Sequence, residues 1–410
     1  MLPRRPRILF LDHTASLGGA ELALLRLVRE VNQSRFDLRV VLFSDGPLVR
    51  QLRDAGASVE ILPLAESILK TSRHAAGESL LRLGTVWTTL RHIVRLAGFI
   101  RQQRIDLVHT NSLKADLIGG LAALLAGRRF IWHVHDRVAS DYMPWPVVRA
   151  FSFLAHKLPH YLITNSQSTL ETLLPYPRTQ CDVIYPGVNL ADIAVPVEPV
   201  LRDPQAGALI GLVGRISPTK GQDIFLRAAA QVLQRFPNVR FQIVGSALFN
   251  DSGYETRMRQ LASSLNLDGV VEFTGFVTDV EQRIAKLDLL VHASTTPEPF
   301  GQVVIEGLAA GKPVVATNAG GIPEIIVHRE NGLLVPPGDV ADMADAICCL
   351  LGEPDLARSL AARGRARVAQ LFTIQRTARQ VEKVYATLLG LPGGQPEAVP
   401  AHGVFEQPAA

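Results

Sequence analysis

The chain has 410 residues, with 42 Lys and Arg against 38 Asp and Glu, 47% hydrophobic residues and three cysteines, a make-up that excludes a disordered chain and a disulfide-stapled miniature domain. Its length exceeds what one core accommodates and points to two domains. Residues 1–195 hold 23 Lys and Arg against 16 Asp and Glu, a charge of +7, while the remainder holds 19 against 22, a charge of −3. A basic first half fits an anionic partner, either a phosphate-bearing acceptor or an acidic membrane face, and equally fits an ordinary arginine-rich surface.

Apolar runs alternate with helical patterns from the start. Arg7–Leu11, Leu38–Phe43, Val59–Leu62, Leu107–His109, Phe130–Val134, Tyr161–Thr164 and Asp182–Tyr185 read as strands, with helices such as Ala20–Val31 and Leu113–Leu125 between them. The stretch from Leu64 to Arg104 is long for one connection, amphipathic and basic. It reads as a helix packed on the sheet, with a membrane-surface segment presenting a lipid-linked acceptor as the alternative. A proline-spaced segment at 193–207 reads as a linker.

A second series follows: Leu209–Val213, Arg240–Val244, Val270–Thr274, Leu289–Val291, Val314–Thr317 and Leu333–Val335. Strand and helix in alternation predict parallel sheets covered on both faces. The fold class is therefore α/β, with two doubly wound Rossmann-like domains facing a cleft. The expected divisions are 1–192, the linker 193–207, a second domain 208–371, a final helix 372–390 and a disordered tail 391–410.

No export signal is expected, because the basic start is followed by an apolar run of only Ile8–Leu11. Leu117–Ala126, the longest apolar stretch, falls short of the ~20 residues that cross a bilayer. Cys181, Cys348 and Cys349 form no C-x-x-C motif, so neither a zinc site nor a disulfide framework is implied. A cytoplasmic protein, peripheral on a membrane at most, is the expectation, with nucleic acid not among its partners.

Several polar clusters fall at strand ends, where ligands of open parallel sheets bind. Gly18-Gly19-Ala20-Glu21 joins the first strand to a helix start, and glycines there let backbone approach a ligand. Trp132-His133-Val134-His135-Asp136 ends another strand, and alternation sends His133 and His135 to one side. Gly214-Arg215-Ile216-Ser217-Pro218-Thr219-Lys220-Gly221 offers two cations for a diphosphate, Arg215 as a fork and Lys220 as a point charge. Gly245 and Thr274-Gly275-Phe276-Val277 end two more strands.

The densest cluster is Glu298-Pro-Phe-Gly-Gln-Val-Val-Ile-Glu306, a turn through Phe300 and Gly301 that opens a helix between two carboxylates. Amides at a helix start attract phosphate, whereas carboxylates accept hydrogen bonds from neutral hydroxyls. A molecule with a diphosphate and sugar diols satisfies both. Gly320-Gly321-Ile322-Pro323-Glu324 adds a second glycine turn before a helix.

The block from Glu298 to Asp339 resembles the C-terminal signature of retaining glycosyltransferases of family 4, which have the GT-B fold. That resemblance implies that Glu298 contacts the transferred sugar, Glu306 the ribose of a nucleotide sugar, and Arg215 and Lys220 the donor phosphates. By the same resemblance Gly18 and Gly19 face the sugar and phosphate, His135 with Asp136 lies near donor sugar or acceptor, and loops at Gly245, Gly275 and Phe276 hold the base. Amides after Phe300 and Gly301 and around Gly320 and Gly321 support phosphate and sugar, and the final helix crosses back to the first domain.

The expected activity is transfer of a sugar from a nucleotide diphosphate to a glycan, lipid-linked or small-molecule acceptor, with retention of configuration. No D-x-D occurs, so no cofactor and no metal is expected, the cationic side chains taking that role. A nucleotide-sugar epimerase of the same plan and a non-catalytic nucleotide-sugar binder remain alternatives. An NAD-dependent oxidoreductase is disfavoured, because the chain contains no G-x-G triplet.

Overall fold

In this computed structural model, residues 4–69, 83–173, 180–193, 207–247 and 252–392 are described. Most of the expected linker, the expected disordered tail beyond Pro392 and the middle of the 64–104 stretch lie outside them. Among the described residues, β1 (Arg7–Asp12), β2 (Asp37–Leu42), β3 (Ser58–Ile61), β4 (Leu107–Thr110), β5 (Arg129–Val134), β6 (Tyr161–Thr164) and β7 (Cys181–Val183) form one sheet in the order β3-β2-β1-β4-β5-β6-β7. A second sheet has the order β10-β9-β8-β11-β12-β13, from β8 (Leu209–Val213), β9 (Arg240–Val244), β10 (Val271–Phe273), β11 (Leu289–His292), β12 (Val314–Thr317) and β13 (Leu333–Val335). Every pairing is parallel; for example Leu9 faces Val108 across β1 and β4, and Leu290 faces Val314 across β11 and β12.

Parallel strands need crossover helices on both faces, so the central strands are apolar on both sides. Leu107–Thr110, Leu289–His292 and Val314–Thr317 are buried at every position. Helices Gly19–Glu30 and Pro47–Asp54 share one core with one face of the first sheet, through Leu24, Leu48 and Leu52 beside Phe10 and Val40. Helices Leu83–Gln102, Leu113–Ala126 and Trp145–Ala155 cover the opposite face, through Leu96, Ala122 and Phe151 beside Leu9 and Trp132.

The strand order reverses between β1 and β4 and again between β8 and β11. At such reversals the helices diverge to opposite faces and leave a crevice beyond the carboxyl ends of the strands. Asp12 and Asn111 stand at the first opening; Arg215 and the loop leading to Glu298 stand at the second.

The chain crosses between lobes near Val188 and returns near Thr373, and the two crossings pair in parallel: Val188 N donates to Phe372 O at 2.9 Å and Ile374 N to Val188 O at 3.0 Å. Gly187 permits this approach, since a Cβ there would stand 2.3 Å from the Thr373 carbonyl carbon. Helix Ile374–Leu389 then packs back on the first lobe, burying Ala378, Val381, Tyr385 and Leu388 against the side covered by Gly19–Glu30. Its spacing of three and four residues is the apolar stripe of a surface helix.

Tyr385 joins that helix to a buried polar chain. Its hydroxyl lies 2.7 Å from His109 Nδ1, and His109 Nε2 lies 3.0 Å from His133 Nδ1. The rings of His133 and His135 are 4.0 Å apart, so alternation along β5 does send both to one side. Burial holds all three imidazoles neutral, pushing His109 down to about 3 and His135 to about 4, the latter against the opposing pull of Asp136 and Asp12. Burial likewise takes His133 well below the usual histidine range.

An unfolded histidine binds its proton near 6.5, so the stability these rings contribute is complete above that pH and is lost as pH falls towards the folded values. The expected loss between pH 7 and pH 5 is about 2 kcal/mol for each of His109 and His135, read as a falling melting temperature by calorimetry. Their ring resonances stay those of neutral imidazole at pH 5.5. Protonated rings in the folded protein at that pH would contradict the assignment.

Candidate active site

The Glu298 loop follows β11 and a short turn, and its backbone is fixed by the second glycine turn. Gly320 has φ +65, and a Cβ there would lie 2.1 Å from the Glu298 carbonyl oxygen. Gly321 N donates to that carbonyl at 2.9 Å. Only glycine adopts this geometry without strain against so close a backbone. Helix Gln302–Ala309 then begins after Gly301, with Glu306 one turn in.

Glu298 Oε1 collects Lys220 Nζ at 2.5 Å, Ser294 Oγ at 2.5 Å and His292 Nε2 at 3.5 Å. Burial opposes the charge, but the Lys220 ammonium, with His292, holds this carboxyl well below the usual carboxylate range. Lys220 closes the 3-10 turn Pro218–Lys220. Gln222 braces the loop, its Nε2 donating to Arg215 O at 2.9 Å. Arg215 is exposed on the same loop. Lys220 of this loop is therefore bound to the acidic turn.

Glu306 faces the other lobe. Arg26, on helix Gly19–Glu30, donates to Glu306 Oε1 at 2.6 Å and lies 3.7 Å from Glu281. Burial raises the Glu306 carboxyl, and Arg26 partly offsets it. Gln302 Nε2 donates to Gly19 O at 2.8 Å, so the Gly18-Gly19 turn lies against the start of the Gln302–Ala309 helix. Further along the cleft, Ser166 and Thr169 donate to Pro299 O at 2.5 and 3.2 Å. The Glu324 carboxylate caps Gln167 N and Ser168 N, both at 2.8 Å. The lobes are closed on one another along this line.

His135 occupies the wall of the first lobe, at 7% exposure. Asn111 Nδ2 donates to Asp12 Oδ2 at 2.8 Å and to Ala20 O at 3.2 Å, which turns its Oδ1 towards His135 Nε2 at 3.0 Å. His135 Nε2 is therefore the donor of that pair. Asp136 accepts from Tyr142 OH at 3.3 Å. Asp12, His13 and Glu21 each place a ligating atom within 4.8 Å of the others; His13 Nδ1 is engaged at 2.8 Å by Ser112 and at 3.2 Å by Asp12.

The loops after β9 and β10 meet through a bridge between Gly245 and Gly275, and Phe276 beside it is 60% exposed. Phe300 differs: its side chain is 2% exposed, packed in the second lobe's core and stacked on Tyr185 at 5.7 Å, so only its main chain is available to a ligand. Arg26, His292, Ser294 and Asn111 also line the cleft although no motif marked them. His292 and Ser294 were accessible to the strand-end rule, since they close and follow β11. Arg26 was not, because nothing local to its helix points to a partner 280 positions away.

The comparisons with known proteins agree in both halves. The family model described as Glycosyltransferase Family 4 matches residues 17–192, and the model described as Glycosyl transferases group 1 matches residues 199–367. A D-inositol 3-phosphate glycosyltransferase of Saccharomonospora viridis is 31% identical over 316 residues, 72% of either chain. One from a Nocardioides species is 29% identical over 328 residues, covering 74% of this chain and 71% of that protein. The crystal structure of Anabaena HepE in complex with UDP-glucose superposes with a TM-score of 0.81 at 28% identity, over 93% of this chain and 99% of that one. Sucrose-phosphate synthase of Thermosynechococcus elongatus, at 22% identity and a TM-score of 0.78, covers 94% of this chain and 100% of its own and shares the fold. With twin parallel sheets, a returning helix and both family models matched, this chain belongs to glycosyltransferase family 4 and is a transferase of the GT-B fold.

Proposed function

We propose that this transferase moves a hexosyl unit from a UDP-sugar to an acceptor hydroxyl, with retention of configuration. The observation that carries the proposal is the Lys220–Glu298 pair at 2.5 Å, a charged acid and its cation at the mouth of the second sheet, on the turn that leads into Gln302, which bonds Gly19 of the other lobe. UDP and glucose, bound by the similar Anabaena protein, support the choice of donor. When donor enters, its diphosphate takes the place of Glu298 as the partner of Lys220, with Arg215 and the amides of Gly301 and Gln302 sharing the charge. Glu298, released, accepts from the sugar hydroxyls.

Glu306 turns from Arg26 to the ribose diol, and the glycine turn at Gly320 and Gly321 supports phosphate and sugar. Gly245, Gly275 and Phe276 pack against the base. Gly18, Gly19 and His135 cover the anomeric centre from the first lobe, with Asp136 on the acceptor side, and closure excludes water that would hydrolyse the donor. The diphosphate charge is carried by side chains and helix amides, without a metal or other cofactor. The site of action is the cytoplasm, at the inner face of a membrane.

For retention, the acceptor oxygen approaches on the face from which the diphosphate leaves. The bond from the anomeric carbon to the UDP oxygen breaks, the bond to the acceptor oxygen forms, and the acceptor proton passes to the departing phosphate oxygen. No side chain then needs to be a strong base. His135, held down to about 4, is neutral at pH 7 and orients by hydrogen bonding instead.

Folded Lys220→Ala and Glu298→Gln variants are expected to release UDP from a panel of UDP-hexoses about 100-fold more slowly than the wild-type protein, the size of losing one preorganised charge contact in a transition state. Wild-type rates in both variants would refute the assignment. A separate expectation concerns Arg26. Since Arg26 lowers the Glu306 carboxyl against the rise caused by burial, Arg26→Met raises it further, and ribose binding needs the ionised form. The acid limb of UDP affinity, followed by titration calorimetry from pH 5 to 8, therefore moves to higher pH in Arg26→Met. An unmoved limb would show that Glu306 does not receive the ribose.

A further inference from the structure

Among the described residues ten large hydrophobic side chains are exposed, and nine of them lie on helices Leu83–Gln102, Leu113–Ala126 and Trp145–Ala155. Trp87 at 70%, Val94 at 63%, Trp145 at 63%, Phe153 at 62%, Leu125 at 52% and Leu90 at 50% are the largest exposures on these helices; the tenth side chain is Phe276 of the other lobe. These helices are one layer. Leu96, Ala122 and Phe151 of the three face inward to a single core with Leu9 and Trp132, so their outer sides face away from the sheet together. Arg101 of the first helix donates to the Leu125 carbonyl of the second, tying the two edge to edge. Apolar surface concentrated in this way marks an interaction face.

Charge says what covers it. The three helices contain one acid, Asp116, which is fully buried and bonded to Thr110. Arg91, Arg95, Arg101 and Arg149 are exposed among the apolar side chains. Asp141, in the loop before the third helix, sits 3.5 Å from Arg137. A second copy of this chain meeting the face across a two-fold axis would bring together two helical surfaces that carry exposed arginines and no exposed acid, which repel. An anionic bilayer complements both features, with arginines at the headgroups and tryptophan and phenylalanine at the acyl boundary.

We propose that this face of the N-terminal lobe docks on an anionic lipid bilayer, and that the acceptor is delivered from that bilayer. The second clause rests on the transferase reading; the first does not. A crossover helix runs antiparallel to its strands, so its first turns lie at the carboxyl edge of the sheet, where the cleft opens. Trp87 and Trp145 stand in those first turns and bring the lipid surface to the rim of the cleft. A lipid-borne acceptor then reaches His135 without leaving the membrane entirely, while the donor enters from solution.

The test is flotation of the full chain with vesicles of phosphatidylcholine alone and of phosphatidylcholine with 30% phosphatidylglycerol, at about 0.1 and 0.5 M salt. Flotation with the anionic vesicles, weakened at high salt and reduced at least tenfold in Trp87→Ser/Trp145→Ser and in Arg91→Glu/Arg95→Glu, is the expected result. UDP affinity by calorimetry stays at the wild-type value in both double variants, which also shows that they are folded. The docking is overturned if the protein stays in the soluble fraction with both vesicle types, or if the variants float as well as wild type. It is also overturned if light scattering finds a dimer that Trp87→Ser/Trp145→Ser dissolves, since a second copy would then cover the face. Flotation without UDP binding would support docking and remove the donor reading alone.

Discussion

A buried carboxyl group ordinarily gives up its charge, and Glu298 keeps it because Lys220, Ser294 and His292 converge on one oxygen. The rest of the cleft is arranged to hold that convergence in place. Gly320 and Gly321 fix the turn that carries Glu298, Gln222 braces the loop that carries Lys220, and β11 delivers His292 and Ser294. A charged pair of this kind costs desolvation that its own attraction does not necessarily repay. Such an arrangement is therefore better explained by a ligand with charges of both signs than by stability.

The two sheets supply the frame. Both faces of each are covered by helices, so polar side chains collect at the carboxyl edges, and the strand order reverses where Asp12 and Asn111 stand in one lobe and Arg215 and Glu298 in the other. The chain is then held closed by contacts of modest number, Arg26 to Glu306, Gln302 to Gly19 and Glu324 to the amides at Gln167 and Ser168. Several of these use groups that the proposed donor needs. Closure of the free protein and binding of the donor therefore compete for Glu306, and opening between the paired crossings at Val188 and Thr373 is how the donor would enter.

Much of this was legible in the sequence, and what was legible was periodic or punctuated. Tyr161–Thr164, Leu209–Val213, Arg240–Val244 and Val314–Thr317 stand as expected, because apolar β-branched runs bounded by glycine and charge leave little choice. Elsewhere the ends move by a residue or two, as at Cys181–Val183 against the expected Asp182–Tyr185. The closeness of Lys220 to Glu298 was not legible, since 78 residues separate them, although the rule that loops beyond strand ends share one cleft placed both there. The burial of the Phe300 side chain was not legible either, because nothing local to a turn residue beside a glycine shows that it fills the core beneath the turn. The exposure of Trp87 and Trp145 was also hidden: amphipathic stretches that pack on a sheet and those that lie on lipid share a pattern until a structure shows which side is already covered.

The most direct test is a crystal structure of this protein with UDP or a non-hydrolysable UDP-hexose bound. The account predicts that Lys220 Nζ leaves Glu298 for a diphosphate oxygen and that Glu306 exchanges Arg26 for the ribose hydroxyls, while the Gly320–Gly321 turn stays where it is. A nucleotide bound away from this cleft, with Lys220 still on Glu298 and Arg26 still on Glu306, would contradict it.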